Sequence, residues 1–192
     1  QEIVRRYFAS LNSLLVGTTS EEEAQKIELL MNQANVTVQD RKVVAKALER
    51  SLETQGPAAA MELDDGRIIT GKTTNLLGAS AALLLNVLKE LAGIDHELHV
   101  ISPESIEPIQ KLKVDYLKSK NPRLHTDEVL IALSASAANS KMARRALEQL
   151  PKLDGCQAHT SVMLSDIDIK TFKKLGVQLT CEAVYETDHI YH

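Results

Sequence analysis

The sequence predicts an α/β fold, a mixed sheet of about five strands with helices on its faces, preceded by an all-helical N-terminal arm. Three observations carry that expectation. Apolar residues recur at helical spacing through the first fifty-odd positions, an Asp-Gly turn then joins two β-prone stretches, and short β segments alternate with helical ones thereafter. The arm is assigned to residues 1–55 and the α/β domain to 56–192.

In the arm, Ile27, Leu30, Met31 and Ala34 mark one amphipathic stripe and Val43, Val44, Ala47 and Leu48 another. Ser20 with Glu23, and Thr37 with Asp40, have the spacing of capping boxes. Gln55-Gly56-Pro57 ends the helical region. Ala58 to Leu63 and Arg67 to Thr70 flank Asp64-Asp65-Gly66, a sequence suited to a tight turn with positive φ, so the two should pair as a hairpin. Leu76 to Leu91 is apolar on nearly every face and should be a helix buried under a sheet, closed by Gly93. Leu98 to Ile101 reads as a short strand. Ser102-Pro103 then opens a helix that Pro108 should interrupt. After the turn at Asn121-Pro122, a helix runs from about Val129 to Ala138, breaks near Asn139-Ser140 and resumes to Leu150. Ala158 to Leu164 and Val177 to Tyr185 are the last strands, separated by a short helix capped by Ser165.

The 192 residues are 44% hydrophobic and 25% charged, an ordinary globular composition. Twenty-two Lys and Arg against 26 Asp and Glu, with no Trp and no basic tract, argue against a nucleic-acid partner. The longest nearly apolar run, Leu76 to Leu88, contains Ser80 and Asn86 and falls short of the roughly 18 residues a membrane span requires. Cys156 and Cys181 read as reduced thiols, which places the chain in the cytoplasm. Because the chain starts at Gln1 with a helical pattern, it is expected to be part of something longer. Three amphipathic arm helices must bury their faces somewhere, which predicts docking or a homo-oligomer.

Gly66-Arg67-Ile68-Ile69-Thr70-Gly71-Lys72-Thr73 spells a P-loop, but its centre is a β-branched stretch fit for an extended strand rather than a phosphate cradle. A weaker expectation survives: Lys72 and Thr73 lead into a helix whose first amides lack partners and favour an anion. Arg123 and His125 precede a second helix, although Asp127 and Glu128 in its first turn could satisfy that end unaided. If the topology joins the two helix starts, Lys72, Thr73, Arg123 and His125 line a pocket for phosphate or carboxylate, with His125 able to exchange a proton. His96 with His99, and His189 with His192, lack third partners, so no metal is assigned, and no cofactor. His159 reads as a satisfied core or surface residue. The hairpin and buried helix resemble the opening of the cytidine-deaminase-like fold, but Gly78-Ala79-Ser80-Ala81 stands where that chemistry needs a zinc ligand and Glu, and no C-x-x-C follows.

Lys26 to Asn32, Gly71 to Gly78, Asn121 to His125, Ile131-Ala132-Leu133 and Ala183-Val184-Tyr185 together resemble uncharacterised protein family 0371, also called domain of unknown function 1846. The resemblance spans the chain and corresponds to the family's C-terminal portion. It implies a bacterial cytoplasmic protein more than twice this length, whose N-terminal part carries its own G-x-G-x-G-K segment. The family is sometimes labelled an ATP-dependent protease, but no H-E-x-x-H is present here. Two readings follow: a domain contributing an anion pocket to a larger enzyme-like chain, or an oligomerisation module with no ligand chemistry of its own. No catalytic residue is assigned.

Overall fold

The computed structural model describes residues 1–186. The arm comprises α1 (Glu2–Leu15), α2 (Glu21–Gln33) and α3 (Lys42–Thr54). Ser20 caps α2 by accepting from the Glu23 amide, while Glu23 pairs with the Thr19 hydroxyl. Thr37 and Asp40 form their box on a short 3-10 turn ahead of α3.

A hairpin follows, β1 (Ala58–Glu62) with β2 (Ile68–Lys72), antiparallel, with Ala60 opposite Thr70 and Met61 opposite Ile69. Gly66 takes φ +83° in the turn, the conformation an Asp-Gly pair supplies. The P-loop spelling is therefore a strand. Gly71 serves proximity: a Cβ there would lie 2.3 Å from the Leu83 backbone nitrogen of α4 (Ala79–Leu91).

Beyond α4 come α5 (Pro103–Lys111), α6 (Thr126–Ala137), α7 (Lys141–Leu147), β3 (Gln157–Thr160), α8 (Asp166–Lys174) and β4 (Gln178–Cys181). The sheet order is β2-β1-β3-β4, with β3 antiparallel to β1 and parallel to β4. The mixed sheet thus has four strands, not about five. Leu98 to Ile101 is the missing one: Val100 and Ile101 are buried in the core, but as a bend with no strand beside it. Pro108 is accommodated inside α5, which runs on into a π-helical turn at Leu112–Tyr116. The last two strands are shorter than their alternating patterns suggested.

Strand alternation sorts the two faces. Ala59, Met61 and Ala158 pack with Leu83, Leu84 and Leu88 of α4 and with α6 and α7 in the main core. Ala60 turns the other way, onto Val43 and Ala47 of α3. Beside it Val4, Phe8, Met31 and Val44 join α1 and α2 to α3. The stripe of α3 is thus satisfied on this chain's own sheet, whereas that of α2 is covered only in part by α1, with Met31 buried and Leu30 and Ala34 left exposed. Leu29, Leu30 and Leu52 stay exposed.

Among the described residues, Arg41 and His159 are fully buried beneath the arm. Arg41 is fully buried and donates from Nε to the Thr180 hydroxyl (3.1 Å) and from Nη2 to the carbonyls of Ala158 (2.7 Å) and Gln178 (2.6 Å). Burial, with Arg5 nearby, lowers its pKa to about 10, so it remains charged near neutrality.

Candidate functional site

The carboxyl ends of β2 and β3 point to one edge, where open α/β sheets generally place ligands. A cavity of about 220 Å³ lies there, with Thr73, Ser80, Arg123, His125, Asp168 and Glu186 in its wall. Three helices begin around it.

The first is α4. It starts at Ala79 behind Gly78, three residues later than the apolar pattern suggests, because the Thr74 hydroxyl accepts from the Leu76 and Leu77 amides and holds that stretch in a turn. Gly78 carries no capping side chain, so the amides opening α4 have no side-chain acceptor. Those amides belong to Ala79, Ser80 and Ala81; Lys72 closes β2 instead of opening the helix.

The second is α6, capped by His125. The Gly78 amide donates to Leu124 O (3.3 Å) and the Leu124 amide to Leu76 O (3.0 Å), a short parallel bridge that sets the two helix starts side by side. The His125 amide donates to Glu128 Oε1 (2.9 Å), which also accepts from the buried Lys113 ammonium (2.7 Å). Lys113 Nζ donates as well to Arg123 O (2.5 Å).

The third is α8. Ser165 caps it, accepting from the Asp168 amide (3.3 Å), and Asp168, only 5% exposed, sends its carboxylate across to α6. Asp168 Oδ1 accepts from the Thr126 amide (2.9 Å) and hydroxyl (2.7 Å), while Oδ2 lies 3.1 Å from the Ser165 hydroxyl and 3.2 Å from His125 Nδ1. Burial pushes the Asp168 pKa up, but His125 and the Thr126 donors outweigh it and hold the carboxyl below its ordinary value. The same bond raises His125, against burial and Lys113. With Nδ1 committed to Asp168, Nε2 is the ring nitrogen left over, and it makes no hydrogen bond to any described residue. The Ser80 hydroxyl is alike: the residue is 3% exposed, it lines the cavity, and it is hydrogen-bonded to no described residue.

Thr73, Arg123 and His125 are thus brought to one cavity. Arg123 is anchored there by donating from Nε to Thr74 O (2.6 Å). Lys72 is not among them; it lines a larger neighbouring cavity of about 560 Å³ with Arg50, Lys89, His96 and His99. His96 lies beside Asp95 and Glu97, and His189 and His192 fall outside the described residues. Sequence reasoning missed Ser80 and Asp168. The available signals were a lone hydroxyl in the first turn of an otherwise apolar helix, and an acid three residues after the cap Ser165.

Residues 39–191 match the family described as "Domain of unknown function DUF1846, C-terminal". The chain belongs to that family. It is 56% identical over 191 residues to a UPF0371 protein of Corynebacterium efficiens, and 45% identical over 191 residues to one of Streptococcus thermophilus. Each match covers 100% of this chain and 39% of the relative, so the chain spans about two fifths of the relatives' length. The family carries no assigned function, in agreement with the resemblance read from the sequence. Among the described residues, no helix is long and apolar enough to cross a membrane.

Proposed function

We propose that this domain holds a small phosphate- or carboxylate-bearing ligand where α4, α6 and α8 begin, as part of a larger enzyme-like chain in the bacterial cytoplasm. The observation that carries the reading is the uncapped start of α4 in the wall of a cavity shared with Arg123 and His125. Unpaired helix amides and two cationic or protonatable groups then bear on one small volume. Two carboxylates share the wall: the charge of Asp168 is taken up by Thr126 and His125, while Glu186 opposes the field of Arg123 and the helix amides. Thr73 adds a hydroxyl. Lys72 contributes field from the adjacent cavity rather than contact. Inorganic phosphate and acetate, titrated into the full chain, should raise its melting temperature in proportion to occupancy. Arg123→Ala and His125→Ala should each abolish that rise. An unchanged response in both variants would defeat the reading.

The second reading, a homo-oligomerising module that also docks the N-terminal part of the same protein, is supported by Leu112, Val114, Tyr116 and Leu117, all exposed along the π-helical turn and the residue after it. Light scattering of wild type and Leu117→Glu tests it; a strict monomer at high concentration would rule out the homo-oligomer.

A further inference from the structure

We infer that Ser80, His125 and Asp168 act as nucleophile, general base and positioning carboxylate in the hydrolysis of a small anionic acyl ester. The inference rests on the anion pocket proposed above for the ester's charged group, and adds chemistry to it. Three observations carry it together. Ser80 lines the cavity, the residue is only 3% exposed, and its hydroxyl makes no hydrogen bond to a described residue. His125 lines the same cavity, its Nδ1 held by buried Asp168 and its Nε2 unpaired. The amides around Ser80 open an uncapped helix, so they are donors already in place for an oxyanion.

Chain topology makes the arrangement more than a coincidence of lining. The Leu77–Leu124 bridge ties the backbone just ahead of Ser80 to the residue before His125. Asp168, in turn, is locked by the Thr126 amide and hydroxyl and by Ser165, so it fixes the imidazole's tautomer by accepting from Nδ1–H. Ser80 and His125 do not touch each other in this state. A gap between nucleophile and base is common before substrate is bound.

The chemistry balances with water as the only co-reactant. Ser80 Oγ attacks the ester carbonyl carbon as its proton passes to His125 Nε2. The carbonyl oxygen becomes an oxyanion, received by the α4 amides. Collapse breaks the bond to the leaving alcohol, which departs with the proton held on Nε2. A water then attacks the acyl-serine, again losing its proton to Nε2; the Ser80–acyl bond breaks, Ser80 recovers that proton, and the carboxylic acid leaves and gives its remaining proton to bulk water. A cavity of about 220 Å³ limits the acyl part to a few heavy atoms.

The base must be neutral to accept the proton, and His125 is faced by Asp168 from α8, Lys113 from the π-helical turn and Glu128 from its own helix. Reactivity should therefore climb with pH through a midpoint above the ordinary histidine value. The test treats the full chain with a small fluorophosphonate and reads adducts by peptide mass spectrometry, alongside turnover of p-nitrophenyl acetate. One adduct on Ser80 is expected, with a rate that rises with pH and falls about 100-fold or more in His125→Gln. Ser80→Ala should take up none. Asp168→Asn should keep the adduct, react more slowly and shift the midpoint downward; a merely structural Asp168 would leave the midpoint in place. Absence of any Ser80 adduct in a folded wild-type chain overturns the inference, as does labelling that ignores both pH and His125. Phosphate binding without Ser80 reactivity leaves the anion pocket standing and the hydrolysis refuted. Reactivity that phosphate neither slows nor accompanies does the reverse.

Discussion

His125 and His159 each lie against a carboxylate and burial lowers both, yet their pKa values end on opposite sides of the ordinary histidine value. His159 is fully enclosed: one face packs 4.8 Å from the Phe8 ring, Nδ1 meets the Thr180 hydroxyl at 2.8 Å and Nε2 meets Glu182 at 3.1 Å. Desolvation dominates there, with the buried Arg41 charge adding to it, and the ring is held neutral below its ordinary value. His125 keeps a quarter or so of its side chain open, at 28%, faces an anion that other donors hold in place, and is raised. The lesson is that a neighbouring acid decides little by itself. What counts is how much water the ring keeps against the strength of its bond to the acid.

The comparison is broken most directly by truncation. His159→Ala removes a fully buried ring with both its hydrogen bonds and should cost about 3 kcal/mol, whereas His125→Ala should cost about 1 kcal/mol. Urea denaturation of the two variants checks the ordering, and equal costs would end the distinction between a core histidine and a site histidine.

Asp168→Asn comes next, at about 2 kcal/mol, since the amide keeps the shape but loses the charge that Thr126 and His125 are arranged around. The variant's His125 should titrate lower than in wild type by NMR.

The pH dependence separates the rings by sign. His125, raised in the folded state, contributes stability below about 6.5 that is lost as pH rises through its folded pKa. His159, lowered, contributes above about 6.5, and that contribution is lost as pH falls through its folded pKa. Stability curves should therefore lose their alkaline-side decline in His125→Ala and part of their acid-side decline in His159→Ala. Identical curves for the two variants would contradict the assignment.

The smallest effect is expected at Lys72, an exposed end-of-strand residue outside the 220 Å³ cavity. Lys72→Ala should change stability by less than about 0.5 kcal/mol and weaken anion binding only slightly, more at low salt than at high.

The sequence disclosed what local chemistry determines. The hairpin follows from Asp64-Asp65-Gly66, the break between α6 and α7 from Asn139-Ser140, and the start of α8 from Ser165, each a signal contained within a few residues. Leu98 to Ile101 misled because β-propensity reports burial on a pleated surface, and Val100 and Ile101 obtain burial without a neighbouring strand. Pro108 misled because α5 continues through it, giving up the one hydrogen bond to Glu104 O without ending the helix. Three of the four candidate site residues do meet, but the residues that give the meeting its chemistry were illegible. Asp168 looked like an ordinary first-turn acid of α8, and nothing in its own neighbourhood announces that its partners are Thr126 and His125, more than forty positions upstream.

Gly71 has a reach that its position on an outer strand conceals. It lets the second turn of α4 rest directly on β2, and that contact sets how far the helix, and with it Ser80 and the three unpaired amides, stands from the edge of the sheet. A methyl group at position 71 would act as a wedge under a rigid rod. It would tilt the first turn out of register with His125, though Gly71 itself does not line the 220 Å³ cavity.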